Sequence, residues 1–367
     1  MTNIFEIFIR DESKNRIAQL EKFTSFSCIR RYNAIGTWAL QADASVLNFL
    51  SKKGGIEVVR NGEIYFSGDM NEFEDQNGLT MTGAGFSDED ILAGRLALPE
   101  PAGPPYSVDY DVRSGYAEAI IKEYVENNAG LLANAARVIE GLSAEANYGR
   151  GESVTGRARF DVLYDLVISL ATQGSVGIRI IGSQLEVYIP EDKSGTIVFS
   201  KEMGTLGAYT YKETRGKANY VICGGSGEGS ARTFVEVANS ESVLNWGRRE
   251  KFLDKSSTSS VVELTAAAQE DLDKNGDVIN LTCQPIITEK MVPIDDYDIG
   301  DWIGVVMYGQ PLKQRVQEIK LTLDKSGAEL IDLAIGTNGA TTDPTGLQRV
   351  YARMREIQNR VSAKERT

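Results

Sequence analysis

Two stretches of this sequence come nearest to a known chemical site. GGSGEGS at 224–230 follows a predicted strand, as a phosphate-binding loop would, but it lacks the GK[ST] ending that supplies a lysine and a metal-binding hydroxyl. DLDKNGDVINLT at 271–282 has oxygen ligands at the first, third and fifth positions of a calcium loop, but Thr282 stands where the loop needs a bidentate Glu. We interpret the first stretch as a flexible loop and the second as a turn from a helix into a strand.

The chain has 367 residues and no histidine, which excludes His-based nucleophilic and general acid–base machinery. Acids cluster at 88–90, at Asp295 and Asp296, and at Asp298 with Asp301. A carboxylate pair could hydrolyse glycosides without histidine. We interpret the first cluster as a helix N-terminus and the others as solvated acids at a strand entry. The sequence therefore predicts no catalytic, cofactor-binding or metal-binding residues.

Cysteine content and charge narrow the class of protein further. Cys28, Cys223 and Cys283 are far apart and show no CxxC pattern, so we predict buried free thiols in a protein made in a reducing cytosol. The net charge of −13 argues against a protein that holds nucleic acid, and an acidic surface would instead repel DNA. No run of about 18 apolar residues occurs, which predicts no membrane anchor.

A basic and aromatic stretch near the N-terminus is the remaining candidate for binding. Arg30, Arg31, Tyr32 and Trp38 could stack on a base or a sugar. Such residues more often pair with cross-strand neighbours in a sheet, and this is the interpretation we adopt.

The elements that must position these residues are mostly strands, and the two ends of the chain share one pattern. Residues 54–85 and 300–336 each begin with a Val-Val pair before a turn glycine, Gly62 or Gly309. An acidic-apolar pair, a second turn glycine and a closing strand follow in both. Asn61-Gly62 is a strong hairpin signal because both residues tolerate a positive φ. The residues alone leave two readings open: a duplicated module, or two ordinary β-meanders.

The middle of the chain differs in composition. The Pro-rich run LPEPAGPPYS begins near residue 98 and predicts a domain boundary. After it, Ser114 is predicted to cap a helix, and FDVLYDLVISLATQG at 160–174 predicts another. The predicted fold class is α+β, mainly β. Its segments are a first β module at 1–98, an α+β domain at 99–196, a second β module at 197–225 and 278–340, an inserted domain at 226–277 and a C-terminal helix at 341–367.

The predicted C-terminal helix has apolar residues at steps of three and four, which is the seam of a short coiled coil. Packing of the helix on its own domain explains the pattern equally well, because two heptads are marginal alone. The candidate residues for trimerisation are Leu347, Val350, Met354, Ile357 and Val361.

Several stretches resemble those of siphovirus tail-hub proteins, the family that includes the tail-associated lysin (Tal) hubs. At the N-terminus these are IFIRDESKNRIAQLEKFTSFSCIRRYNAIGTWALQA, GGIEVVRNGEIYFSGDMNEF and LTMTGAGFSDEDILAGRLALP. Later in the chain, IVFSKEMGTLGAYTYKETRGKANYVICGG, WGRREKFLD and DYDIGDWIGVV continue the resemblance in the same order. It covers residues 1 to about 340, and it consists of diffuse pattern without a catalytic motif.

The resemblance implies a fold like that of contractile-phage baseplate hubs and of the base of VgrG-type spikes. Each subunit would contribute two related β-barrel tube domains, so that a homotrimer presents six barrels in a ring. The implied partners are the distal tail protein, the tail tube protein, the tape measure protein and a tip fibre or spike protein. The implied place is the tail tip of the virion, after synthesis in the bacterial cytoplasm, with no sequence-specific nucleic-acid binding and no cofactor.

Three alternative functions stay open at this point. One is an enzyme of cell-wall penetration, and another is the hub of a contractile injection machine. The third is a glycan-binding adhesin, with Trp38, Trp246 and Trp302 as candidate platforms.

Overall fold

A computed structural model describes residues 4–44, 53–76, 78–288 and 290–337 of the chain. The predicted C-terminal helix lies outside the described residues. The proposed trimerisation residues, which lie there too, therefore remain a prediction: Leu347, Val350, Met354, Ile357 and Val361.

The described part of the chain is mainly β, with antiparallel sheets, as predicted. The strands are β1 (Phe5–Arg10), β2 (Arg16–Gln19), β3 (Ser25–Arg31), β4 (Thr37–Asp43), β5 (Gly55–Arg60), β6 (Glu63–Gln76), β7 (Thr80–Ser87), β8 (Leu96–Ala97), β9 (Asp111–Tyr116), β10 (Ser143–Ala144), β11 (Ser153–Ala158), β12 (Asp161–Val162), β13 (Gly177–Ile181), β14 (Gln184–Tyr188), β15 (Val198–Ser200), β16 (Leu206–Thr214), β17 (Tyr220–Gly224), β18 (Phe234–Ala238), β19 (Glu250–Asp254), β20 (Val278–Pro285), β21 (Trp302–Met307), β22 (Gln310–Asp324) and β23 (Glu329–Gly336). The helices are α1 (Asp90–Ala93), α2 (Ala117–Asn128), α3 (Leu163–Gln173), α4 (Ser240–Trp246) and α5 (Val261–Asn275), with short 3-10 turns at Ala135–Arg137 and Gly229–Ala231.

Both ends of the chain enter one 13-stranded sheet. Its strands follow the order β16-β20-β23-β22-β3-β4-β7-β6-β5-β1-β2, and β21 pairs with the first half of β22 and with β15. One apolar cluster serves the whole sheet, because it contains Phe26 and Leu40 from the N-terminal strands together with Ile319 and Leu333 from the C-terminal strands. The two meanders therefore share a core, although more than two hundred residues separate them.

The tight turns follow the glycine and asparagine signals of the sequence. Asn61 and Gly62 both have positive φ between β5 and β6, and Gly182 and Ser183 do the same between β13 and β14. Such a pair of left-handed residues matches the twist of the flanking strands. The hairpin predicted at Asn61 and Gly62 is confirmed.

The segment after the Pro-rich run forms a separate α+β layer with its own core. Helices α2 and α3 pack their apolar faces together with the hairpin β13–β14, and Ile121, Val167 and Leu185 are buried there. The predicted Ser114 cap is wrong. Ser114 lies in β9, where its hydroxyl pairs with that of Thr155 on β11, because the chain pairs as a strand up to Tyr116 before the helix begins.

The inserted unit is larger than predicted. The sequence pattern groups residues up to 225 with the second β module, but β17 pairs with β18 and β19 in a separate three-stranded sheet. The alternate residues Val221 and Cys223 of β17 are buried against Leu264 and Ala268 of α5. Helix α5 covers one face of that sheet and completes this small core. Because burial there stabilises β17 in the inserted sheet, β17 pairs with β18 and β19 and not with β16.

Candidate assembly surface

The two meanders share geometry beyond their turns. In β6 the register against β7 shifts between Met70 and Glu72, and in β22 the register against β23 shifts between Val316 and Glu318. After the shift, Glu72 faces Ala84 and Glu318 faces Ala334. A bulge of this kind bends the strand locally. The acidic residue that follows it occupies the same position in both copies.

The C-terminal meander meets the strands that precede the N-terminal meander edge to edge inside the chain. The second half of β22 pairs with β3 in antiparallel register, from Glu318 opposite Arg31 to Asp324 opposite Ser25. Here β22 belongs to the C-terminal meander, and β3 belongs to the N-terminal strands. We call this pairing the internal joint.

A buried ion pair lies at the start of the internal joint. The Arg31 Nε donates to Glu318 at 2.6 Å, and the two side chains are only 3% and 2% exposed. Arg31 also donates to the Ile35 carbonyl and the Thr37 hydroxyl. Because both ions are buried, neither can return to water unless the two strands separate.

Two further Arg–Asp pairs cross between the ends of the chain. Arg60 donates through two nitrogens to Asp295 at 2.8 and 2.9 Å, and Arg30 does the same to Asp298 at 3.0 and 2.9 Å. The hydrogen bonds from Arg60 lower the pKa of Asp295 below its ordinary value. The prediction of solvated acids at this strand entry is therefore incomplete, because the side chains of Asp295 and Asp298 are 53% and 31% exposed but are also held in ion pairs. They are partners of arginines on the N-terminal strands.

The first acid cluster is also structural. Asp88 accepts hydrogen bonds from Arg10, which is fully buried, and from the Ser67 hydroxyl. Asp90 is the first residue of α1, so the predicted helix N-terminus is confirmed. Asp301 accepts from Lys193 and from the Glu191 amide.

Glu89 faces a small cavity between the large sheet and the α+β layer. The cavity has a volume of about 40 Å³, more than one water molecule requires, and Tyr65, Ile180 and Tyr188 line it. One Glu89 oxygen accepts from the Ile180 amide, and the other has no partner among the described residues. Burial raises the pKa of Glu89 above its ordinary value of 4.5.

We expect Glu89→Gln to stabilise the protein in a pH-dependent way. Because the pKa of Glu89 is higher in the folded than in the unfolded state, the wild type loses stability as the pH rises from about 4.5 through the folded-state value. Glutamine keeps the bond to Ile180 and has no charge to bury. Urea unfolding across this pH range should show a gain for the variant that is absent at acid pH and grows toward neutral pH. The same change at the exposed Glu202 should leave the curve unchanged, and a pH-independent effect of Glu89→Gln would refute the explanation.

Neither stretch that resembled a ligand site forms one in the described residues. Residues 224–230 connect β17 to β18 as a loop. Asp271 and Asn275 lie within α5, where Asp271 pairs with Lys251 and Asn275 donates to the Asp271 carbonyl. The predicted helix-to-strand turn is confirmed, since β20 begins at Val278. Among the described residues, no group of three or more Cys, Asp or Glu is placed to hold a metal ion.

The cysteines and tryptophans lie where packing needs them. Cys28, Cys223 and Cys283 are buried free thiols, as predicted, and burial raises the pKa of each. Trp38 is buried, and its indole donates to the Asp69 carbonyl at 3.2 Å. Both readings of Trp38 as a surface platform, for bases or for sugars, are therefore wrong.

The other two tryptophans are more accessible. The face of Trp302 is covered by the cations of Lys313 and Arg315, whose charged groups lie 5.2 and 4.3 Å from the ring. Trp246 ends α4 and is 40% exposed.

A match to a known protein family shows which family the chain belongs to. Residues 6–337 match the family described as Siphovirus ReqiPepy6 Gp37-like protein. The chain belongs to this family. The match covers the large sheet from Glu6 onward, the α+β layer and the inserted unit, and it confirms the resemblance to siphovirus tail proteins. No match was found among curated proteins.

Solved structures of phage tail proteins share the fold. The 43 kDa tail protein of prophage MuSo2 from Shewanella oneidensis is 14% identical, with a TM-score of 0.60 over 90% of this chain and 97% of that one. A tail protein from Neisseria meningitidis is 12% identical, with a TM-score of 0.59 over 91% and 97%. Prophage tail protein gp18 from Listeria monocytogenes is 12% identical, with a TM-score of 0.58 over 96% and 99%.

The chain therefore belongs to a siphovirus protein family and has the fold of the phage tail proteins named above. No described helix is both long and apolar enough to cross a membrane. The internal joint was the feature that sequence analysis missed. Its only signal was the charge of Arg31 and Glu318 at strand positions that otherwise alternate with apolar residues.

Proposed function

We propose that this protein is the hub of the tail tip, and that three copies form a ring of six related β modules. Such a ring would join the sixfold tail tube and distal tail protein to a threefold tip and close the DNA channel. The main observation in support of this proposal is the repeated meander. Two meanders with a bulge at the same position lie in one sheet, so each subunit offers two similar faces to its neighbours. Two faces on each of three subunits match a six-membered tube.

The acidic charge fits this role. A net charge of −13 would repel DNA in a channel and reduce friction as the DNA passes. The tape measure protein and a tip fibre or spike protein are the further partners that the proposal implies.

The mass in solution tests the proposed assembly. Light scattering should give three times the 40.2 kDa mass of the chain across a range of protein concentrations. A single-chain mass at every concentration would refute the homotrimer.

We also propose that this work is geometric and not catalytic. Four described acids of these clusters, Asp88, Asp295, Asp298 and Asp301, are held by arginines or a lysine. A zymogram on peptidoglycan should show no clearing by the purified chain, and clearing would favour a cell-wall enzyme instead.

A further inference from the structure

The internal joint leaves two matching strand edges open in the described part of the chain. On β6, the side that pairs with β5 has no strand partner beyond Met70, whose amide donates to the Gly54 carbonyl. At the far end of the sheet, β16 pairs with β20 on one side, and no other described strand pairs with its second side. Open strand edges of this length are ready to pair with another chain.

These two edges are the counterparts of the two strands in the internal joint. The order β3-β4-β7-β6 of the N-terminal module corresponds to the order β16-β20-β23-β22 of the C-terminal module. Thus β6 corresponds to β22, and β16 corresponds to β3. Inside the chain β22 pairs with β3, so the equivalent pairing between copies would join β6 of one copy to β16 of the next.

We infer that β6 of one copy pairs in antiparallel register with β16 of a second copy of this chain, continuing the sheet from subunit to subunit. This inference rests on the proposed function and names the contact by which the ring would close.

The register follows from counting along the paired strands. Glu72 corresponds to Glu318 because each faces the equivalent alanine, and two residues on, Glu74 corresponds to Lys320. In the internal joint, Lys320 faces Ile29 on β3. Ile29 corresponds to Lys212 on β16, because the two residues face equivalent positions of β4 and β20. The joint between copies therefore sets Glu74 directly opposite Lys212. Opposite charges at such a position attract across strands.

Burial supports the same assignment. Phe26 and Ile319 are fully buried in the internal joint, whereas their counterparts, Tyr209 on β16 and Phe73 on β6, are 38% and 45% exposed. Pairing of β6 with β16 of the next copy would bury the aromatic rings of Tyr209 and Phe73.

Pairing of β6 with a second β6 is disfavoured. The open part of β6 carries three exposed acids, Glu72, Glu74 and Asp75, and these would face one another across such a joint. The acidic edge of β6 instead complements Lys212 on β16.

Engineered cysteines test the register. Residues directly opposite in antiparallel strands have Cα atoms about 4.5–5.5 Å apart, within the range that a disulfide spans. The double variant Glu74→Cys with Lys212→Cys should form covalent dimers and trimers under mild oxidation. Six strands separate the two positions within one chain, which prevents a link inside a subunit.

The matched control is Glu74→Cys with Glu213→Cys. A shift of one residue turns the side chain to the other face of the sheet, so this pair should link at least tenfold less. The wild type reports any background from its buried native cysteines. A trimer by mass with no link in either variant would refute this joint and leave the proposed hub standing. Equal linking by the two variants would refute the register, and a single-chain mass would refute the hub and the joint together.

Discussion

Replacement of Glu318 by glutamine is expected to lower the free energy of unfolding by about 3–5 kcal/mol. The substitution keeps the volume of the side chain but removes the charge that compensates Arg31, which is 3% exposed. The buried guanidinium would then lose the carboxylate to which it donates at the internal joint. Urea unfolding followed by circular dichroism, at one fixed protein concentration, measures the loss.

The control for this prediction is the same substitution at Glu270. That carboxylate pairs with Lys274 on the exposed side of α5, and its loss should change stability by no more than about 1 kcal/mol. If Glu318→Gln had an equally small effect, the buried pair would not hold the internal joint together.

Replacement of Trp38 by alanine is expected to cost about 3–5 kcal/mol of stability. Trp38 is 2% exposed in the large core, and its indole donates to the Asp69 carbonyl. Gly85 makes this packing possible, since a Cβ there would lie 2.8 Å from the indole nitrogen and 1.9 Å from the Asp69 carbonyl oxygen. The change would therefore leave both a cavity and a lost hydrogen bond in the sheet.

Trp246→Ala is the matched control for this second prediction. Trp246 is 40% exposed at the end of α4, and its removal should change stability by less than about 1 kcal/mol. Calorimetry measures both variants without relying on tryptophan fluorescence. Equal losses at the two positions would contradict the burial that sets Trp38 apart.

Local features of the fold could be predicted from the sequence. The turn at Asn61 and Gly62 depends on residues that accept positive φ, and it occurs where expected. The meander repeat could be recognised because its Val-Val pair, its acidic-apolar pair and its turn glycines lie close together in each stretch of the sequence. The buried state of the three cysteines followed from their lack of any pairing pattern.

Long-range partnerships could not be predicted. Arg31 and Glu318 are 287 residues apart, and nothing local distinguishes a strand edge that pairs from one that stays open. The same holds for Arg60 with Asp295, where the local sequence showed only an acidic turn. The assignment of β17 failed for a related reason, because its choice between β16 and the inserted sheet depends on burial under α5.

The central claim is that two similar modules in each chain build a ring of six. Electron microscopy of the purified protein, averaged without imposed symmetry, tests it most directly. The proposal predicts particles with a central channel, threefold symmetry and six similar modules around the channel. Particles with a single copy of the chain, or a ring in which the two modules of each chain do not alternate at the same radius, would contradict it.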